Sequence, residues 1–301
     1  MITHENLQIL NYDKKDYVTM YGADFMKIRS LWEQGFSGKG IVIAVIDSGI
    51  DIKHKNFEDR IIAYKNFTDD DTEENVFDYS GHGTHVAGII SSKNSKAIEI
   101  GAAPNAELVI LKVIDSNSKG KISSLINSLN YVIEWNEKND KKINIVNLSL
   151  GSAEYSEKLY KTIKLLNQQD VLIVAAAGNY GDSLDHTEER IYPGFFKEVI
   201  QIGSIDKDKK ISKFNNSNLN IDFVAPGEDI YSTLPGNSFG TANGTSMSAP
   251  IVSGGLALLL EKKIAEKINN PSISILNYLR KNTEDLGCSI PEQGNGLITL
   301  I

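Results

Sequence analysis

Ile41-Val42-Ile43-Ala44-Val45-Ile46-Asp47-Ser48-Gly49-Ile50-Asp51 is the stretch on which the fold turns. The run up to Ile46 is apolar without alternation and mostly β-branched, which suits a strand covered on both faces rather than one wetted on one side. Further runs of this kind occur at Ala106–Val113, Ile143–Leu148, Val171–Ala176, Val199–Ile202 and Ile221–Val224. Between them lie helical patterns. Ser123–Glu137 carries Leu125, Ile126, Leu129, Val132 and Ile133 at spacings of three and four, and Ser156–Asn167 has a similar stripe. Strand alternating with helix predicts an α/β fold with an open, largely parallel sheet and helices on both faces. Ligands of such folds bind beyond the carboxyl ends of the strands. Asp47 directly follows the first run and Asn179 closely follows Val171–Ala176, so both are expected at one edge of the sheet.

The 301 residues, 41% hydrophobic, are enough for one large core, and no Pro/Gly/Ser-rich linker, low-complexity tract or internal repeat divides them. A single domain is expected. The net charge of -8, without an extended Lys/Arg block, argues against nucleic acid as a partner. The one cysteine, Cys288, excludes an intramolecular disulfide framework and reads as a small half-buried hydrophobe. Met1-Ile2-Thr3-His4 lacks the basic start and apolar core of a signal peptide, and no apolar run is long enough to span a bilayer. A soluble cytoplasmic chain, with no membrane partner, is the expectation.

Three segments carry chemistry. Asp47 ends a buried strand, where a carboxylate is costly unless paired or hydrogen-bonded; Asp-Ser-Gly is equally good turn chemistry. In Gly81-His82-Gly83-Thr84-His85-Val86-Ala87-Gly88, small residues allow a helix to begin close to another backbone, with His82 at its start. A neutral imidazole suits that place because the helix dipole opposes a permanent positive charge. His82 and His85 are three apart, as metal ligands on one helical face can be. However, no Glu stands between them in a His-Glu-x-x-His arrangement and no third ligand is evident, so His85 reads as structural. In Gly244-Thr245-Ser246-Met247-Ser248-Ala249-Pro250, a serine opens a helix that continues through Ile251–Leu260. Pro250 predicts a helix start near Ser246, since proline is tolerated in a first turn. By itself Ser246 is also an ordinary N-cap serine.

Taken together and in this order, Asp47, His82 and Ser246 resemble the subtilase family of serine proteases. Ala175-Ala176-Ala177-Gly178-Asn179 resembles that family's oxyanion-hole segment, and Asn147-Leu148-Ser149-Leu150-Gly151 the strand lining its primary specificity pocket. The resemblance runs from about Trp32 to the C-terminus. It implies acyl transfer at a peptide bond: Ser246 as nucleophile, His82 as general base and acid, Asp47 as the group that orients the imidazole, and Asn179 with the Ser246 N–H as oxyanion donors. It also implies that Ser149, Leu150, Gly151, Ala176, Ala177 and Gly178 bind substrate, and that Lys119-Gly120-Lys121 is the edge strand along which substrate pairs. Protein or peptide substrates are the implied partners, and no cofactor is required for the chemistry.

Within the family the chain is similar to intracellular subtilisins, through Asn66-Phe67-Thr68-Asp69-Asp70-Asp71, the Gly181–Pro193 loop and the ending Gly294-Asn295-Gly296-Leu297-Ile298-Thr299-Leu300. Asp47 also comes too early for a folding prodomain. That branch implies a homodimer and a short N-terminal extension, here residues 1–22 before a peptidase domain of 23–301, which occludes the active site until clipped. The nearest counterpart of its Leu-Ile-Pro-Tyr motif is Ile9-Leu10-Asn11-Tyr12, with Asn11 in place of the kinking proline. Many subtilases bind calcium in the loop after the histidine helix. Here the loop is Lys93–Glu99, with two lysines, and Asn56 stands for the assisting acid, so a weak or lost site is expected and metal binding is left open. The acidic run Asp69–Asp71, Glu73, Glu74 and Asp78 reads as a solvated loop rather than a subsite for basic residues. Tyr180 and Ser152 depart from residues common in broad-specificity subtilisins and could narrow the pocket. This leaves a dedicated lantibiotic leader peptidase as an alternative, and a peptide-binding pseudoprotease as a third reading.

Overall fold

The structure, a computed structural model, describes residues 1–3, 18–19, 21–93, 98–99, 101–182, 184, 187–269 and 271–300. Its centre is a sheet built from β1 (Val42–Asp47), β2 (Ile61–Asn66), β3 (Glu107–Lys112), β4 (Ile145–Leu148), β5 (Leu172–Ala176), β6 (Ile200–Ile205), β7 (Phe223–Pro226), β8 (Thr283–Glu284) and β9 (Leu297–Ile298). The spatial order is β8-β9-β7-β6-β5-β4-β1-β3-β2. Every neighbouring pair is parallel except β8 with β9. Four helices matter for the site: α1 (His82–Ser91), α2 (Ile122–Lys138), α3 (Glu157–Gln168) and α4 (Thr245–Ala265).

Alternation along β1 shows why the opening stretch is apolar throughout. Ile43 and Val45 enter one core, shared with Val86, Ile89 and Ile90 of α1 and Ile251, Val252 and Leu256 of α4. Val42, Ala44 and Ile46 enter a second core, with Leu125, Leu129 and Val132 of α2 and Leu159, Ile163 and Leu166 of α3. Side chains of a strand point alternately to opposite faces, so a strand covered twice needs apolar residues at every position. After β1 the chain builds β2 and β3 on one side and then β4 to β7 on the other, which makes the carboxyl end of β1 a topological switch point. Asp47 is its last residue.

The expected strands and helices are present, with ends shifted by a residue or a few. Ser156 caps α3, its side chain accepting from Leu159 N at 3.3 Å. The antiparallel hairpin Ile230–Leu234/Ser238–Ala242 and the short strands β8 and β9 were not legible: Ser-Phe-Gly-Thr-Ala has no alternation to announce a strand. α4 begins at Thr245, so Pro250 lies in the second turn rather than the first. Its missing N–H would have bonded the Ser246 carbonyl. That carbonyl instead accepts from Ser149 Oγ at 2.8 Å, and this is why the proline is tolerated so deep.

At its other end α4 is tied to the entry of β1. Half-buried Glu261 accepts from the backbone N–H groups of Ser37 (2.7 Å), Gly38 (2.7 Å) and Lys39 (3.2 Å). Hydrogen bonds to a carboxylate are among the stronger ones, and three converge here. Glu261→Ala is expected to destabilise the fold by about 2–3 kcal/mol, and Glu261→Gln by less because one acceptor oxygen remains. The check is the urea midpoint, measured in a Ser246→Ala background so that self-digestion does not intrude.

Candidate active site

Asp47 is buried, and Oδ1 accepts from Ser48 N and faces His82 Nδ1, each at 2.7 Å. His82 is the first residue of α1 and equally buried. Gly83 lets the helix start so close to β1: a Cβ there would lie 2.2 Å from the Gly49 carbonyl oxygen. Asp78 holds this helix start. Its Oδ1 accepts from Ser48 Oγ (2.9 Å) and Gly81 N (2.8 Å), and its Oδ2 from Thr84 N (2.8 Å) and Thr84 Oγ1 (2.7 Å). A carboxylate on the first-turn amides complements the helix dipole. The solvated-loop expectation therefore fails for Asp78, which is 1% exposed, and holds for Asp69–Asp71, Glu73 and Glu74.

Buried Lys112, at the end of β3, donates to the Ser48 carbonyl at 2.5 Å. Burial lowers its pKa while Asp78, Asp70 and Asp47 oppose that shift. Neither Lys112 nor Asp78 stood out in the sequence, because a single charge at a strand end or beside an acidic run looks like any surface residue.

His85 turns away from His82. It is buried with Nε2 3.2 Å from the Gly240 carbonyl oxygen, and burial, with His82 as the next cause, drives its pKa down to about 3. It is a neutral strut against the hairpin. Among the described residues no group of three or more His, Cys, Asp or Glu could hold a metal.

Ser246 stands at the start of α4. Its Oγ donates to the Ser149 carbonyl at 3.2 Å, and its own carbonyl takes the Ser149 hydroxyl. Behind it, Asn147 Nδ2 donates to Ser149 Oγ (3.1 Å) and Ser253 Oγ donates to Asn147 Oδ1 (2.8 Å), all buried. This polar chain locks the turn of Ser246 to the end of β4. The sequence reading gave Ser149 a role, quoted Asn147 in its segment without one and missed Ser253; the Asn147 and Ser253 side chains meet only in the fold. Asn179 Oδ1 accepts from Thr245 N (2.8 Å) and Thr245 Oγ1 (2.9 Å), so its Nδ2 is the end that lies over Gly244, beside Ser246. Asp47 with His82, and Asn179 with the turn of Ser246, are thus two groups at the same carboxyl edge of the sheet.

Gly120 and Gly151 form the two walls of a cleft, and the chain itself runs between them. Ile2 N donates to Gly120 O (2.9 Å) and Gly120 N to Ile2 O (3.0 Å); Thr3 N donates to Gly151 O (3.1 Å) and Gly151 N to Thr3 O (3.2 Å). Both pairings are antiparallel. The Ile2 side chain is buried. Thr3 lines the cavity that also contains Ser149, Leu150, Gly151, Ala176, Gly178, Asn179 and Ser246. Ala177 backs this wall, its N–H on Ile202 O and its carbonyl accepting from Asn216. Lys119 and Lys121 flank Gly120 at the surface, Lys119 N on Asp115 and Lys121 Nζ paired with Asp69. The motif around Ile9-Leu10-Asn11-Tyr12 lies outside the described residues.

The calcium loop is described only at residues 93 and 98–99. Asn56 Nδ2 donates to Ser92 Oγ (2.7 Å) and to the Lys93 carbonyl (3.2 Å).

No helix among the described residues is long and apolar enough to cross a membrane. The model of the subtilase family matches residues 38–284. The chain is 38% identical over 298 residues to an intracellular serine protease of Paenibacillus polymyxa, covering 97% of this chain and 89% of the relative. It is 40% identical over 285 residues to the major intracellular serine protease of Bacillus subtilis strain 168, covering 93% and 87%. Subtilisin E of Bacillus subtilis strain 168 is 37% identical over 242 residues, 80% of this chain and 61% of that protein. With the sheet topology above, these matches make the chain a member of the subtilase family, a subtilisin-like serine protease.

Proposed function

We propose that this protease is an intracellular endopeptidase working through Ser246, His82 and Asp47, held in check by its own N-terminal strand. The observation that carries the reading is the buried Asp47–His82 pair at 2.7 Å, placed at the same sheet edge as Ser246 and Asn179. In the reaction, His82 takes the Ser246 proton as Oγ leaves its bond to Ser149 O and attacks the scissile carbonyl. His82 then gives the proton to the leaving amine, and water repeats the sequence on the acyl-enzyme. Asp47 keeps Nδ1 of His82 protonated and stabilises the imidazolium. The Asn179 amide and the Ser246 N–H receive the oxyanion. The chemistry needs no cofactor. Asn179→Ala is expected to lower kcat about 10²–10³-fold with KM little changed, the size found for the equivalent loss in the related subtilisin. Steady-state kinetics on a peptide anilide checks it.

Residues 1–22 act as an extension and 23–301 as the peptidase domain in this reading. It is supported by the antiparallel seat of Ile2 and Thr3 in the cleft and by the burial of Gly22 and Ala23. The intracellular names of the relatives at 38% and 40% identity favour a cytoplasmic turnover or processing protease, and they lend nothing to a lantibiotic leader peptidase. The test is casein hydrolysis followed alongside mass spectrometry of the enzyme incubated alone. Loss of N-terminal residues in step with rising casein cleavage is the expected result. An intact chain that labels with a fluorophosphonate yet leaves casein untouched would refute the general protease.

A further inference from the structure

The cavity beside Ser246 is lined by Thr3 of the N-terminal strand and by Ile191, and of these Ile191 belongs to the wall itself. With Thr3 seated there, about 30 Å³ is left, space for one or two water molecules. Its walls are the backbone at Gly151 on one side and Gly178 on the other, and Ile191 sits on both. A Cβ built on Gly151 would lie 2.2 Å from Ile191 Cγ2, and one built on Gly178 2.9 Å from Ile191 Cγ1. The isoleucine thus fills the space that the two glycines open.

Its backbone is fastened on both sides. Ile191 O accepts from Phe195 N at 2.9 Å, and the next residue, Tyr192, exchanges hydrogen bonds with Ser152 at 2.8 and 2.9 Å. Tyr192 is in turn packed against Tyr155, Phe195 and Phe196. Retracting Ile191 would disturb this aromatic cluster. The two residues suspected of narrowing the pocket do not do so in the same way. Ser152 Oγ turns to accept from Glu154 N, and Tyr180 stands 59% exposed at the rim.

We propose that Ile191 is the specificity-determining residue of this protease, closing the primary pocket so that the residue donating the scissile carbonyl must be small, of alanine or serine size. The position follows from the lining: Ser246 and Asn179 share the cavity, so its occupant is the side chain adjoining the carbonyl that is attacked. Alkyl side chains longer than a methyl, and rings, meet the branched end of Ile191. The inference rests on the serine-protease reading above and names the substrate class of that site.

The experiment uses the full chain and tetrapeptide anilides that differ only in the last residue, alanine, leucine or phenylalanine, with active sites counted by fluorophosphonate labelling. Because the Ile2–Thr3 strand competes equally with each anilide, the ratios do not depend on it. The expected kcat/KM for alanine exceeds that for phenylalanine by about 100-fold, within the range one pocket contact can discriminate. Ile191→Ala is expected to shift that ratio toward phenylalanine by at least about 10-fold. Should Ile191→Ala fold poorly, Ile191→Val removes one methyl and is expected to shift the leucine-to-alanine ratio in the same direction by a smaller factor. Labelled enzyme that cuts the phenylalanine anilide as well as the alanine one, or a ratio untouched by either variant, overturns the role of Ile191 alone. Absence of both labelling and cleavage in enzyme that has lost its N-terminal residues overturns it together with the protease reading.

Discussion

Ser246→Ala is expected to lower kcat by about 10⁶-fold, the loss recorded when the nucleophile of the related subtilisin is removed. The whole covalent route disappears with the hydroxyl, and only the oxyanion donors and substrate binding remain. Little else should change. Oγ gives the structure one bond, to the Ser149 carbonyl at 3.2 Å, whereas the anchor of the turn is the bond from Ser149 Oγ to the Ser246 carbonyl, which alanine keeps. The variant should therefore fold with a urea midpoint close to wild type and bind peptide with little change. It should also keep its N-terminal residues in the incubation that shortens the wild type. Loss of those residues at the wild-type rate in purified Ser246→Ala protein would mean that another group, or another protein, does the cutting.

Asp47→Asn is expected to cost about 10⁴-fold in kcat, the magnitude known for the same change in a serine-protease triad. The reason lies in the 2.7 Å contact between Asp47 Oδ1 and His82 Nδ1. The carboxylate accepts there, so Nδ1 carries the proton and Nε2 is left basic towards Ser246. An asparagine that turns its Nδ2 to the ring demands the opposite tautomer, and the imidazole can no longer take the hydroxyl proton. Its Oδ1 could preserve the bond to His82 only by giving the Ser48 N–H, now 2.7 Å from the same oxygen, a shared acceptor without charge. Single-turnover kinetics with a peptide anilide measures the loss. A decrease under about tenfold would show that His82 is oriented by its other surroundings, and Asp78 with its grip on the first turn of α1 would become the group to test.

Much of this site was legible because its chemistry sits in contiguous motifs. An acid at the end of an apolar run, a histidine among small residues and a serine opening a buried helix are local patterns, and the strand-end rule gathers Asp47 and Asn179 at one edge. The departures have local causes too. Pro250 pointed to a helix start within a residue of the observed one, yet it lies in the second turn and not the first, because the compensating donor, Ser149, belongs to another segment. Asp78 passed for a loop acid because its partners Ser48 and Thr84 come from β1's turn and α1. His85 was separable from His82 on residue types alone, and the carbonyl of Gly240 that it meets belongs to a hairpin no pattern announced.

By itself, then, the sequence determined the alternation of strand and helix, the two-sided burial of β1 and the candidates for the reacting groups, since these depend on residue types at short spacing. Only the tertiary structure decided what surrounds them. It seats Ile2 and Thr3 between Gly120 and Gly151, links Asn147, Ser253 and Ser149 behind the nucleophile, and lays Ile191 across the two glycines of the pocket. Those contacts join residues remote in the chain, and close approach of distant backbones follows from packing, which no local spacing encodes.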